Sequence, residues 1–512
     1  MSSSSRIIKN TGYLYIKTLV SLFVSLYVTR VVLNTLGSED FGIYNVVGGA
    51  ITMLGFFNLS MASTVQRYLN NAQGKKDIQA QKEIYNVAVV FHGVIAILMF
   101  LVLWLAQFIL FNGVLYITLE RINAAHWVYL SLMISTFFTI ISVPYDAMIN
   151  AHEDMLTYSI IGIIDIVIKL IIALAITYMN GDRLIIYSVL MIFIPILTYI
   201  MMKIYSVKHY EECKVNIRKF YNKKRAKEIL GFAGWNLVGT SSGMIGNYGN
   251  NIILNHFFGS VLNAASGIAI QLNGMLSVLS GQFLKALNPV IYKLGGENDS
   301  QKMMTYSYIG CKYSYILLSI LSIPVIIEAP YVLRLWLVEV PEWTVFFVRW
   351  TMIRALIEQL TATLNRSLES SGHIREYNIV VFVFYLLPLV LLTAIYFFFG
   401  GEPYWNLYIP IIFMAIIPSV FKLLYCKKYC DFSIKEFFSF VLKQCAIFTL
   451  IPSFLGIIIT FFFSEGLVRL CITSSVVILA IVFCYIIMLN SNEKVMLQPI
   501  FDRVNKIISK KY

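Results

Sequence analysis

Runs of about twenty apolar residues recur from one end of this chain to the other, separated by short polar turns, and no other feature restricts its fold as much. A run of that length crosses the hydrocarbon core of a bilayer as a helix, the one open-ended element whose backbone groups are all satisfied internally. Spans read this way fall near 13–36, 41–65, 84–110, 124–148, 157–179, 184–206, 228–257, 261–287, 313–335, 343–366, 377–399, 404–425, 440–463 and 467–490. The expectation is an all-α polytopic membrane protein of about fourteen transmembrane helices. Composition agrees, since 58% hydrophobic and 13% charged residues over 512 positions cannot wet the surface of a soluble fold.

The formal net charge of +13 would suggest nucleic acid in a soluble protein, but here loop orientation accounts for it. Of the 40 lysines and arginines, 32 fall at the termini or in the alternate loops that fourteen spans put on one side, nine of them between Lys203 and Lys227. The opposite turns carry Glu39, Asp40, Glu120, Asp182, Glu402 and Glu465, with a few arginines and no lysine. Both termini are therefore expected in the cytoplasm of a multi-pass bacterial plasma (inner) membrane protein. The N-terminus shows no small-residue cleavage site and reads as an uncleaved start. Seven cysteines without ligand spacing predict free thiols and no metal site.

The chain repeats. At an offset of 221, Val-Val-Leu-Asn (31–34) falls on Ile-Ile-Leu-Asn (252–255), Tyr27 on Tyr248 and Gly74 on Gly295. At 219, Tyr158 falls on Tyr377, Gly181 on Gly400, Lys203 on Lys422 and Tyr210 on Tyr429. Six spans per copy is an even number, so the repeat is parallel. The expected organisation is an N-terminal six-helix lobe (1–210), a basic cytoplasmic linker (211–227), a C-terminal six-helix lobe (228–430), two additional transmembrane helices (431–490) and a basic tail (491–512).

Polar side chains inside the spans are the candidate site. Arg30 lies where a charge costs a few kcal/mol or more unless it faces protein or water, and Asn34 lies one turn on; the alternative is that Arg30 snorkels to an interface. Arg30 maps onto Asn251 in the seventh span, where Asn236, Thr240, Asn247, Asn251 and Asn255 recur at helical spacing among glycines. That face suits an aqueous cavity, with small-residue helix packing as the plain alternative. The eighth span adds Gln271, Asn273 and Gln282, and Gln66-Arg67 lies near the cytoplasmic mouth. Asp165 with Lys169, and Arg354 with Glu358, are spaced for ion pairs along one helix; these are coupling or gating candidates or mere packing devices. His92 and His126 read as core groups. No phosphate-binding loop is present, and the outward loops are too short to build a transferase or receptor domain, so neither an enzyme nor a bound cofactor is expected.

Leu-Gly-Ser-Glu-Asp-Phe-Gly-Ile-Tyr (36–44) resembles the turn of the polysaccharide-biosynthesis, O-antigen-type flippases of the multidrug/oligosaccharidyl-lipid/polysaccharide exporter superfamily. Residues 61–68, 251–259 and 262–271 resemble one bacterial branch of it. The resemblance implies two six-helix lobes forming a V around a cavity, and export of a lipid-linked oligosaccharide such as an O-antigen, capsule or exopolysaccharide unit. Two departures stand out: Asn250-Asn251 where many members have an acidic-basic pair, and Ser266 where relatives often have arginine. On this reading an undecaprenyl-diphosphate-linked glycan moves from the cytoplasmic to the outer leaflet by alternating access. Arg30 and Arg67 hold the diphosphate, Asn34, Asn247, Asn251, Asn255 and Gln271 meet the sugar, and the membrane potential, H+ or Na+ drives transport. Membrane lipids and the polysaccharide polymerase and chain-length machinery are the expected partners, and nucleic acid is not. The alternatives are a cation-coupled drug or metabolite exporter using Asp165 or Glu358, and a non-transporting partner in envelope polysaccharide assembly.

Overall fold

A computed structural model describes residues 3–52, 56–111, 117, 119–337 and 340–488. Every regular element among them is a helix. The basic tail 491–512 lies outside the described residues.

The first half runs α1 (Ser3–Thr52), α2 (Phe56–Gly74), α3 (Ile78–Ile109), α4 (Ile122–Ala151), α5 (Met155–Tyr178), α6 (Arg183–Met191), α7 (Phe193–His209) and α8 (Ile217–Phe220). The second runs α9 (Lys223–Leu276), α10 (Val278–Gly296), α11 (Ser300–Ile327), α12 (Ala329–Trp336), α13 (Thr344–Gln359), α14 (Leu364–Ser371), α15 (Ile374–Phe398), α16 (Trp405–Pro410) and α17 (Ile417–Tyr429). Three further helices follow: α18 (Ile434–Phe437), α19 (Lys443–Phe462) and α20 (Leu467–Ile487). Sequence sets where helices stop and start. Helix α1 breaks at Gly37, whose φ of 82° and ψ of 168° a side-chain-bearing residue rarely adopts; this is the glycine of the Leu-Gly-Ser-Glu-Asp turn. Asp77, Asp154, Asp182 and Asp299 begin α3, α5, α6 and α11, each accepting a backbone N–H of the first turn.

Ten helices among the described residues are long and apolar enough to cross a membrane, or eleven if Ala265–Leu276 and Val278–Gly296, bent by 50°, make one span. Three of the fourteen expected spans are not among them. Residues 41–65 include 53–55, which lie outside the described residues. The 228–257 stretch is helical but too rich in glycine, asparagine and serine to count as apolar. The 343–366 stretch is split by turns between α13 and α14 into pieces of 16 and 8 residues.

The chain divides into two compact units, Asn10–Leu237 and Val238–Tyr512, with Met1–Lys9 grouped with the second. Residues 211–227, the expected basic linker, cluster with the first unit. Lys82 pairs with Glu211 at 3.2 Å, the Asn216 amide donates to Asn86 Oδ1 at 2.8 Å, and Asn222 Nδ2 donates to Glu83 at 3.0 Å. Polar groups on the first turns of α3 thus hold the basic segment down, so the boundary falls near Val238. The added helices α19 and α20 pack on each other and on α11, within the second unit. A fully buried Glu328 joins them to it, accepting from Arg469 Nη2 at 2.8 Å, Arg469 Nε at 3.0 Å and Thr473 Oγ1 at 3.0 Å.

The internal repeat is visible in each unit separately. His152 stacks on Tyr210 and His373 on Tyr429, both with ring centroids 3.9 Å apart and planes within 5°. Gly181 and Gly400 turn the chain after α5 and α15 at φ of 112° and 66°.

Candidate functional site

Helix α9 presents two adjacent stripes after Val238, and they do different work. Gly239, Gly246 and Gly249 let α15 approach: a Cβ on them would meet Asn378 Oδ1 at 2.6 Å, the Tyr385 carbonyl at 3.0 Å and Leu389 Cδ1 at 2.6 Å respectively. Thr240, Asn247 and Asn251 point instead into a cavity of about 470 Å³ that lies wholly in the second unit. Packing and cavity, posed as alternatives by the sequence, are both present on neighbouring stripes. Asn236 belongs to neither; its Nδ2 donates to Ser63 Oγ at 2.6 Å inside the first unit.

Helix α13 forms the facing wall. Its buried stripe, Phe347, Val348, Met352 and Leu356, faces the core, which turns Thr351, Arg354 and Glu358 to the cavity. The expected Arg354–Glu358 pair forms, Nε donating to Oε1 at 2.8 Å, and Arg354 Nη1 reaches across to Asn247 Oδ1 at 3.2 Å. A charged pair and an amide from two helices therefore share one polar wall, and the two charges cancel. Its lining is otherwise amide, hydroxyl and aliphatic, with the Met244 thioether and the Tyr248 phenol.

One residue from each of the two departures noted in the sequence meets the other. Ser266 Oγ donates to Asn251 Oδ1 at 2.9 Å, so the residues standing where charges are common are joined as a neutral hydrogen-bonded pair. Asn250 exchanges hydrogen bonds with Asn406 at the start of α16: Asn250 Nδ2 donates to the Asn406 carbonyl at 3.1 Å and Asn406 Nδ2 to Asn250 Oδ1 at 3.0 Å. Tyr396 OH donates to Asn406 Oδ1 at 2.5 Å, completing its coordination. Sequence reading passed over Asn406, a lone asparagine at the start of the 404–425 span without the helical repetition that marked the seventh span. The available signal was Pro410, where α16 passes into a π-helical turn, Ile411–Ile416, of the kind that often marks function.

The remaining candidates do not line this cavity. Gln271 is exposed, and the Asn255 side chain lies outside the described residues. In the first unit Arg30 and Asn34 are exposed. Arg67 is buried, its guanidinium 4.2 Å from the Phe232 ring centre and 4.8 Å from that of Tyr68. The expected Asp165–Lys169 ion pair does not form. Asp165 accepts from Thr198 Oγ1 at 2.5 Å and has Lys17 as its nearby positive charge, the stem of Lys17 lying against Gly162. A hydroxyl on α7 reaches the carboxylate where the lysine one turn along its own helix does not, and the Lys17 amine of α1 lies over the Tyr158 ring, 4.1 Å from its centre.

The acidic signature turn has a structural task. Arg121, just ahead of α4, donates from Nε to Asp40 Oδ1 and from Nη1 to Asp182 Oδ2, both at 2.7 Å, so one guanidinium clamps two carboxylates from separate helix ends. At the opposite end Glu212 meets His152 at 2.6 Å; burial would raise its carboxyl, but that contact outweighs it and holds Glu212 below the usual range.

A family model described as polysaccharide biosynthesis protein matches residues 7–294. In sequence, no curated protein matches the chain significantly. In structure it resembles a MATE transporter crystallised in a bent conformation, with TM-score 0.73 and 12% identity over 87% of this chain and 99% of that one. It also resembles an outward-facing multidrug-resistance MATE transporter of the MOP superfamily, with TM-score 0.72 and 13% identity over 84% and 96%. A MOP superfamily transporter from Pyrococcus furiosus, described as having a binding pocket of reversed polarity, gives TM-score 0.70 and 12% identity over 84% and 96%. At such identities the likeness establishes the fold.

Proposed function

Because this chain belongs to the polysaccharide biosynthesis protein family and has the fold of MOP superfamily transporters, we propose that it moves an undecaprenyl-diphosphate-linked oligosaccharide across the bacterial inner membrane by alternating access. The observation that carries this reading is the cavity of the second unit. It is internally neutral, and lined by the amides of Asn247, Asn251 and Asn273 with the hydroxyls of Thr240, Thr351 and Ser266. Amides and hydroxyls both donate and accept, as the hydroxyls of a sugar require. The Arg354–Glu358 pair leaves no net charge to select an anion, so the diphosphate is assigned elsewhere: to Arg30, which is exposed, and to Arg67 once it leaves its ring stack.

With both termini cytoplasmic, an inside-negative potential favours outward movement of the anion by about 2.3 kcal/mol per charge per 100 mV. The test is lipid-linked glycan flipping in proteoliposomes with an imposed potential. Asn247→Leu and Arg30→Ala are each expected to slow it at least tenfold, and wild-type rates in both would overturn the assignment. A second reading, a cation-coupled exporter of small molecules, draws on Glu358 at the cavity wall and on the multidrug description of a structural neighbour. Drug efflux lost in Glu358→Gln, with glycan flipping intact, would favour it.

A further inference from the structure

The stripe of α13 that carries Arg354 runs on past the cavity lining. Four residues earlier lies Trp350, four earlier again Phe346, and at the helix start Trp343, so an aromatic strip adjoins the polar wall on the side away from the basic loops. At about 1.5 Å per residue it extends about 6 to 16 Å beyond Arg354. Short helix α16 meets it there. Tyr408 lies 4.9 Å from Trp350 and 6.1 Å from Phe346, nearly edge-on to both, and Tyr404 and Trp405 pack on Tyr408 at 5.6 and 6.4 Å. The same α16 carries Asn406, so the amide of the cavity and the rings of the cluster are neighbours on one helix.

Two features separate this cluster from an ordinary interfacial belt, whose rings act singly as anchors against headgroups. The rings meet mainly edge to face, and although Trp343, Phe346 and Trp350 pack on the core of Phe347, Val348 and Met352, each ring of the cluster keeps part of its surface exposed. The strip also begins on a residue held against its own preference. Trp343 sits at φ 67°, a left-handed conformation that bulky residues avoid and that persists only where the surroundings impose it. Pro341 imposes it here, accepting from both the Thr344 amide at 3.2 Å and Thr344 Oγ1 at 2.7 Å.

Resting on the translocator reading above, we propose that Trp343, Phe346, Trp350 and Tyr408 form a carbohydrate-stacking subsite, receiving the pyranose rings of the glycan as they leave the amide-lined cavity. A pyranose has an apolar C–H face and a rim of hydroxyls; ring faces flanked by Thr351, Asn406 and the cavity amides match that division. A flat drug cation would use the rings and leave the amides idle.

The test measures binding of two radiolabelled probes to the purified full-length protein in nanodiscs: undecaprenyl diphosphate alone, and undecaprenyl diphosphate carrying an N-acetylhexosamine disaccharide. Wild type is expected to bind the glycosylated probe about tenfold more tightly. Trp350→Leu and Tyr408→Leu are each expected to reduce that preference to within twofold while leaving the sugar-free probe unchanged, and Trp350→Phe to retain most of it, which separates a lost ring from a misfolded protein. Preference unchanged in both leucine variants, or equal weakening of both probes, would overturn the subsite and mark the rings as anchors. If wild type binds the sugar-free probe without gaining from the disaccharide, the subsite falls and the translocator reading stands. If it binds neither probe, both fall.

Discussion

The two units descend from one repeat, yet they place their intramembrane charges differently. In the first, Asp165 is engaged by Thr198, Arg67 is folded against Phe232 and Tyr68, and the largest ionic cluster, Arg121 with Asp40 and Asp182, sits at the helix ends. In the second, Arg354 and Glu358 stand in the wall of an open cavity beside Asn247. What the copies share is skeletal: the histidine–tyrosine stacks at 152/210 and 373/429, the aspartate caps of α3 and α11, and the glycine turns at 181 and 400. A repeat keeps the geometry that every helix hairpin needs, while polar side chains in the interior are free to differ between its copies.

The comparison breaks first at Arg354. Arg354→Ala leaves both Glu358 and Asn247 without their partner in the cavity wall and should destabilise the second unit by about 2–3 kcal/mol. The double variant Arg354→Ala/Glu358→Gln should recover most of that stability but not transport, as read by thermal unfolding and flipping assays on the same preparations.

Arg121 gives an effect of similar size, in the first unit. Arg121→Ala should cost about 2–3 kcal/mol, since the lost hydrogen bonds involve ionised partners. Burial would raise the Asp182 carboxyl, but the Arg121 hydrogen bonds and the Ile185 and Leu184 amides outweigh it and hold it below its usual value. A depressed carboxyl brings stability that is fully present above its unfolded pKa of about 3.9 and lost as the pH falls through the folded value. Unfolding curves from pH 7 to pH 3 should therefore show an acid limb that is flatter in the variant.

The smallest effects sharpen the division of α9 itself. Gly249→Ala should cost about 1–2 kcal/mol, because its Cβ would lie 2.6 Å from Leu389 Cδ1. Gly234→Ala, on the same helix but in the first unit, meets nothing within 4 Å and should be neutral or stabilising by up to about 1 kcal/mol. Equal effects at the two positions would show that the glycines serve helix propensity alone.

How much of this was legible in the sequence depends on the range of the interaction. Hydropathy and the offsets of 221 and 219 residues were enough for an all-helical membrane protein built on a repeat, because both are local properties carried by every copy. The Gly37 turn and the Arg354–Glu358 pair were legible for the same reason, since each is settled within a few residues. Asp165 and Lys169 had the same spacing and did not pair, since Thr198, 33 residues away, reaches the carboxylate instead. Which stripe of α9 packs and which is wetted, the joining of Asn251 to Ser266, and the meeting of Trp350 with Tyr408 all depend on how one helix is rotated against another. Periodicity limits that rotation to a face, and only the close approach of a second backbone selects the side chains within it.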